Sequence, residues 1–136
     1  MIKNFRLGLT LAILGLSVFS FSVAAKAPKA TQLNEQYSYT AEFVKKPRVG
    51  PAVLKINVYD TSRTPPSKSS ALTLLGSYDM PSMRGHHTTP PTKIQTNQNE
   101  DYLFPVNFVM RGGWEIVLDF QENGETIATQ SINVRI

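Results

Sequence analysis

The fold is decided by residues 102–120, which read YLFPVNFVMRGGWEIVLDF. Apolar side chains occupy alternate positions of residues 102–110 and again of residues 114–120, on either side of a glycine turn. A period of two residues is typical of strands that bury one face. The stretch therefore predicts two β-strands, with Trp114 in the core. Pro105 has no backbone donor, so its strand is predicted to lie at a sheet edge or to carry a bulge.

The same alternation recurs on both sides of this stretch. It predicts further strands at residues 37–43, 53–60, 72–80, 93–96 and 127–136. The proline-, serine- and threonine-rich residues 61–70 are predicted to form an exposed loop, and Asn123-Gly124 is a strong type I′ hairpin signal. About seven short strands without a sustained helical period predict an all-β fold, an immunoglobulin-like antiparallel β-sandwich.

The N-terminal residues have the composition of a secretory signal. Lys3 and Arg6 precede an apolar run at residues 7–23, and small residues follow at Ala24 and Ala25. We expect cleavage near Ala25. The alternative is an uncleaved anchor, because about 17 apolar residues are near the lower limit for spanning a bilayer.

These observations divide the chain into three parts: a signal peptide at residues 1–25, a flexible leader at 26–36 and the β-sandwich domain at 37–136. Either fate of the N-terminal segment places the domain outside the cytoplasm. We therefore expect a periplasmic or secreted protein that contacts the membrane only if the segment is uncleaved.

Charge and cysteine content exclude several classes of function. Removal of Lys3 and Arg6 lowers the formal net charge from +4 to +2. The remaining basic residues are scattered, with one cluster at residues 45–48, and no aromatic residues are interleaved with them, so no nucleic acid partner is expected. The chain has no cysteine, which removes disulfides, thiolate ligands and a lipoprotein anchor.

No arrangement typical of an enzyme is present. Nucleophilic catalysis requires a serine, cysteine or threonine beside an oriented base, but His86 and His87 are the two histidines of the chain and are adjacent. There is no Gly-x-Ser-x-Gly elbow and no phosphate-binding glycine loop. The carboxylates lie in predicted turns or on exposed strand faces. The protein is therefore predicted not to be an enzyme.

The most specific chemistry lies in the loop after residues 72–80, where Met80, Met83, His86 and His87 follow one another closely. Thioether and imidazole donors without cysteine suit copper outside the cytoplasm. Pro81 favours a bend between the two methionines, and a glycine before the histidines gives further freedom. The sequence thus predicts a copper site on these four residues.

Two alternatives remain open for the same loop. The histidines and Asp79 would make a weak zinc site. Otherwise Met80 continues the core face, Met83 closes the end of the sandwich and the histidines form a solvated pair, because methionine commonly fills gaps in cores.

Three segments carry a family resemblance. They are Gly50-Pro51-Ala52-Val53-Leu54-Lys55-Ile56, then Asp79-Met80-Pro81-Ser82-Met83, and finally Met110 with Gly112-Gly113-Trp114-Glu115-Ile116. Together they resemble the YtkA-like domain, which is related to the FixH proteins, over about residues 37–136. The resemblance implies an immunoglobulin-like sandwich outside the cytoplasm and a link to copper handling or respiratory oxidase assembly. At matching positions it implies Met80, Met83 and His86 or His87 as ligands.

The chain differs from that family in two respects. FixH proteins are membrane-anchored, whereas residues 1–25 here are predicted to be a cleaved signal. The loop at residues 61–70 also stands where a tighter connection is expected. We therefore expect a non-enzymatic copper-binding or copper-delivery protein. The alternative is a metal-independent interaction module that binds a protein partner of the cell envelope through this loop and an exposed sheet edge.

Overall fold

The computed structural model describes residues 27–136. The predicted signal peptide and its cleavage near Ala25 lie outside this range. In the described range no helix has the length and apolar character needed to cross a bilayer. Ten β-strands and one short 3₁₀ turn make up its regular structure, so the prediction of an all-β fold is confirmed.

The six longer strands lie close to their predicted positions. In chain order they are β1 (Thr31–Gln32), β2 (Tyr37–Phe43), β3 (Gly50–Asp60), β4 (Ser67–Ser69), β5 (Thr73–Asp79), β6 (Thr92–Lys93), β7 (Gln95–Thr96), β8 (Tyr102–Phe108), β9 (Gly113–Glu122) and β10 (Glu125–Arg135). The 3₁₀ turn, Pro81–Met83, follows β5.

All strands pair antiparallel and form two sheets. The first sheet has the order β1-β2-β3-β8-β7, with β4 also paired to β3. The second sheet has the order β10-β9-β5-β6. The two sheets pack against each other as a sandwich, with the core between them. Every described strand and the core they enclose lie within residues 31–136, so this part of the chain contains the contacts that stabilise its fold.

The core is built from the alternating residues of the stretch that predicted it. Trp114 is 2% exposed, and Ile116, Leu118 and Phe120 are completely buried. The alternate residues of β8 are also buried, but the strand ends at Phe108. Met110, predicted to continue that face, is 38% exposed because it lies in the turn that leads to β9.

Pro105 lies at a local sheet edge, as predicted. It is in register with Val53 of β3, whereas β7 on the other side of β8 pairs only with Tyr102 and Leu103. Beyond Leu103 no described strand flanks that side of β8. The missing donor of Pro105 therefore interrupts no pairing there.

Short strands account for the differences from the predicted boundaries. β1 pairs with β2, so ordered structure begins before Tyr37 and the leader at residues 26–36 is not wholly irregular. Ser67–Ser69 of the predicted loop at 61–70 form β4. Residues 93–96 form no single strand: β6 belongs to the second sheet and β7 to the first, with buried Ile94 between them. The chain crosses between the sheets at Ile94.

Candidate metal-binding loop

The predicted metal-binding residues lie at one end of the sandwich, in the connection between β5 and β6. The connections at residues 44–49 and 109–112 lie at the same end, because β2 and β8 also finish there. We call these three connections, together with the end of β10, the loop end. The candidate residues thus lie on a surface made by loops from both sheets.

Two successive turns shape the start of this loop. The amide of Met83 donates to the carbonyl of Met80 at 2.9 Å, and the amide of His86 donates to the carbonyl of Met83 at 3.1 Å. In the second turn Arg84 has φ −54 and ψ 137, and Gly85 has φ +86, which is type II geometry. The bends expected at Pro81 and before the histidines are therefore present.

These turns bring the backbones of the candidate ligand residues close together. The first and fourth residues of a β-turn have Cα atoms less than about 7 Å apart. Met80 and Met83 are the ends of the first turn, and Met83 and His86 are the ends of the second. The Cα atom of Met83 therefore lies close to those of a second methionine and a histidine.

Met80 points into the core. It is 3% exposed and belongs to the buried cluster between the sheets. Its Cε atom approaches Gly112 so closely that a Cβ atom on that glycine would lie 2.6 Å away. The alternative interpretation of Met80, as a continuation of the core face, therefore agrees with the structure. Its sulfur is not presented to solvent.

Met83 and His86 differ from Met80 in exposure. Met83 is 37% exposed, and His86 is also exposed. Neither residue belongs to the buried core cluster, so their side chains do not serve to fill the interior. Of the two methionines, only Met83 offers its thioether to an ion that arrives from solvent.

His87 lies against the core rather than in open solvent. Its ring centroid is 6.1 Å from that of Trp114, with the ring planes at 46°. Both residues line a shallow cleft of about 240 Å³. The indole is oriented because its Nε1 donates to the carbonyl of Met110 at 3.1 Å. The alternation predicted that Trp114 lies in the core, but no sequence pattern indicated its contact with His87.

The loop is anchored on both sides of the histidines. The amide of Gly85 donates to Thr88 Oγ1 at 3.1 Å. The amide of Tyr78 donates to Thr89 Oγ1 at 3.0 Å, and the amide of Thr89 donates back to the carbonyl of Tyr78 at 3.2 Å. The bond of Gly85 closes the backbone that carries His86 and His87, and the bonds of Thr89 tie this backbone to β5.

The zinc alternative lacks a third donor. Within residues 27–136 no three histidine, aspartate or glutamate side chains converge as a metal site. Asp79 Oδ1 is buried without a hydrogen-bond partner in this range, but the histidines do not join it. The nearby Glu115 is opposite Asp79 in the adjacent strand and pairs with Arg84 at 3.5 Å, an ion pair that no sequence pattern indicated.

Comparisons with protein-family models, with curated proteins and with solved structures give no match for this chain. The resemblance to the YtkA-like domain therefore stays a prediction from short motifs.

Proposed function

We propose that this chain is an exported copper-binding protein that stores the ion or passes it to a partner. The observation that supports this proposal is the type II turn whose two ends, Met83 and His86, are both exposed, with His87 directly after it. The proposal includes an immunoglobulin-like topology and a relationship to the YtkA-like domain. It includes no catalytic step.

The exposed members of the loop are the donors in this proposal. Met83 and His86 are the two ends of the type II turn, and His87 follows directly with its ring beside Trp114. A thioether with imidazoles suits Cu(I), and imidazole also binds Cu(II). Met80 stays in the core, where its packing supports the turn. The ligand set is thus Met83, His86 and His87.

Exposure suits such a site to delivery rather than permanent retention. Met83 lies partly open to solvent, so a partner with better-placed ligands can approach from the outside and replace the donors one at a time. The buried core cluster does not include these three donors. The domain should therefore keep its fold when copper leaves.

A copper titration with a matched control tests the proposal. Residues 27–136 are titrated with Cu(I) against a chromophoric chelator, as wild type and as Met83→Ala, His86→Ala and Met110→Ala. Met110 is the control because it is 38% exposed, against 37% for Met83, and lies at the same end. We expect Met83→Ala and His86→Ala each to weaken Cu(I) binding by roughly tenfold or more, the scale of disturbed metal sites, and Met110→Ala to leave it unchanged.

The single tryptophan of the chain gives a second measurement. Trp114 is close to His87, so a paramagnetic Cu(II) ion held by the imidazoles should quench its fluorescence. His87→Ala should reduce the quenching while His86→Ala reduces the affinity. Equal Cu(I) affinity in all four proteins would contradict the proposal. Quenching that neither histidine substitution changes would contradict it as well.

The second candidate is a metal-independent module that binds an envelope protein. The observation that favours it is the length of β10, an edge strand of 11 residues that, among the strands of residues 27–136, pairs with β9 alone. Unpaired backbone groups on such an edge can add a strand from a partner. A partner retained in full by the Met83→Ala protein in the presence of chelator would favour this candidate over copper binding.

A further inference from the structure

The charged side chains of the domain are divided between its two ends. The loop end carries six cations: Lys45, Lys46, Arg48, Arg84, Arg111 and Arg135. Two acidic residues lie close to it, Asp79 and Glu115. The opposite end carries six acidic residues: Glu35, Asp60, Glu100, Asp101, Glu122 and Glu125. Two cations lie there, Arg63 and Lys68. The sandwich is therefore basic at one end and acidic at the other.

Most of the cations at the loop end are not neutralised by ion pairs. Among the described residues only Arg84 of the six forms one, with Glu115. All acidic residues of the chain lie within residues 27–136, so the N-terminal residues supply no other partner. In contrast, both cations of the acidic end are paired, Arg63 with Asp60 and Lys68 with Asp101. The loop end thus presents free positive charge.

The same end carries the exposed apolar residues. Val44 is 57% exposed, Val49 is 47% exposed and Val109 is 52% exposed, and Met110 adjoins Val109. Every large apolar side chain that is exposed within residues 27–136 lies in the loop end or on its rim: Val44, Val49, Val53, Met83, Val109 and Met110. None of these side chains belongs to the buried core, so their burial requires an external partner.

Cations and apolar side chains alternate around two clefts of this surface. Val44 and Val53 line a cleft of about 340 Å³ together with Lys45, Lys46 and Arg48. A second cleft of about 380 Å³ has Val49 and Ile136 in its wall, with Lys46, Arg48, Arg111 and Arg135 around them. The loops therefore offer apolar tips with positive charge beside each tip.

We propose that the loop end docks on the surface of an anionic phospholipid bilayer. Its valines and Met110 enter the boundary between headgroups and acyl chains, and its lysines and arginines meet the phosphates. Surface binding of this kind gains free energy from apolar burial and from attraction to anionic lipids together. The valines, Met110 and the cations that carry this inference are not the proposed copper donors, although those donors lie at the same end, and the inference does not depend on copper binding.

The direction of the chain agrees with this orientation. β1 pairs antiparallel with β2 in the register Thr31 with Tyr39 and Gln32 with Ser38. Because β2 runs towards the loop end, β1 runs away from it, and the chain enters the domain from the loop end. The described residues that precede β1, residues 27–30, thus approach the domain from the side that we assign to the membrane.

A bilayer fits the loop end better than a second copy of the domain does. The acidic end complements the positive charge, but none of the exposed large apolar residues of the described chain lies there. Head-to-tail association would bury the valines against charged side chains. An anionic bilayer matches both the charge and the apolar tips.

Vesicle sedimentation tests the proposal with residues 27–136, which lack the N-terminal apolar segment. The vesicles contain phosphatidylcholine alone or an equal mixture with phosphatidylglycerol. The variants are Lys45→Gln with Lys46→Gln, and Val44→Ser with Val109→Ser. The matched control, Arg63→Gln with Lys93→Gln, removes two cations that lie outside the loop end. Far-UV circular dichroism confirms that each variant retains its fold.

We expect binding to the mixed vesicles only, and weaker binding as salt is raised. Loss of two surface lysines should weaken binding roughly 30-fold, from the usual contribution of a cation near an anionic leaflet. The valine variant should also lose binding, and the control should retain it. Equal binding by the lysine variant and its control, or no binding to mixed vesicles, overturns the proposal. Salt-sensitive self-association in sedimentation velocity, without vesicle binding, would assign the surface to a second copy instead.

Discussion

Gly112 is a residue whose backbone conformation permits a core contact. Its φ is +140, in a region that favours glycine. Its amide and carbonyl exchange hydrogen bonds with Ile136 at 3.1 and 2.9 Å, which fixes the turn to the end of β10. The missing side chain leaves room for the methyl group of Met80. The candidate loop therefore rests on the β8–β9 turn through a methionine and a glycine.

Replacement of this glycine tests that contact. We expect Gly112→Ala to lower the free energy of unfolding by about 1–3 kcal/mol, the usual cost of a side chain in a disfavoured backbone region. The flexible end of Met80 can shift, so the clash adds less than the backbone does. Gly113→Ala is the control, because nothing lies within 4 Å of its Cβ position and its φ is not positive. Urea unfolding should show a change below about 0.5 kcal/mol for the control. Equal effects at both positions would contradict this account.

The burial of Met80 and the exposure of Met83 show what residue spacing alone does not determine. Their separation and Pro81 predicted a bend, which the structure contains. Sequence could not decide which methionine lies inside, because that depends on the space left by Gly112 in a distant turn. The contact of His87 with Trp114 was unpredictable for the same reason: it depends on how two remote segments pack. Local residue types therefore indicated which loop carries the candidate ligands. Tertiary packing determined which of its side chains lie in the core and which are exposed.

The turn between β7 and β8 joins three elements through one carboxylate. Asp101 accepts hydrogen bonds from Asn57 of β3 at 2.5 Å, Lys68 of β4 at 2.6 Å and Asn97 of the turn at 3.0 Å. The hydrogen bond from Lys68, with those from the two asparagines, lowers the pKa of Asp101 to about 2. The charged form of this carboxylate thus stabilises the first sheet.

The lowered pKa predicts a loss of stability in acid. An aspartate in the unfolded chain titrates near 3.9, so the stabilisation is complete above that pH. It is lost as the pH falls towards 2, where the folded carboxylate is protonated. We expect Asp101→Asn to be less stable than wild type by about 2 kcal/mol at pH 7, from the size of the pKa change.

Urea unfolding between pH 7 and pH 2 measures this component. The difference between wild type and Asp101→Asn should shrink as the pH falls below 4. Glu125→Gln is the control, since that carboxylate is exposed at the start of β10 and should show little difference at any pH. A difference for Asp101→Asn that stays constant down to pH 2 would show that its charge is not the stabilising feature.

Strand length explains which elements the sequence predicts. β8 and β9 alternate over enough positions to show their period, and their buried faces were predicted correctly except at Met110. β1, β4, β6 and β7 have two or three residues each, too few for a period, and they are mostly polar. These strands exist because a longer neighbour offers backbone partners. Their positions follow from pairing, which no local pattern reveals.

At the scale of the whole molecule, the two sheets share one aromatic cluster. Trp114 of β9 contacts Phe108 of β8 with ring centroids 5.4 Å apart and Tyr78 of β5 at 6.1 Å. Tyr78 in turn lies 6.0 Å from Phe104. The first sheet supplies both phenylalanines, and the second supplies the tryptophan and the tyrosine. Neither sheet can separate from the other without exposing the indole.

This cluster predicts that the domain unfolds in one step. Trp114 is the only tryptophan, so its fluorescence reports the contact between the sheets, whereas far-UV circular dichroism reports the strands. We expect the two signals to give the same urea midpoint and the same slope, the test of a two-state transition in a domain of this size. Because strands from distant parts of the chain pair in both sheets, refolding should take milliseconds to seconds.

The same experiment with and without a copper chelator relates folding to the proposed site. The core excludes Met83, His86 and His87, so the two signals should coincide both with and without bound metal, although bound copper should raise their common midpoint. A fluorescence transition that precedes the loss of strand signal would mean that the sheets separate before they unfold. In that event the contacts of the aromatic cluster would break at lower urea than the strands do. The loop anchored beside Trp114 would then lose its conformation before the strands unfold.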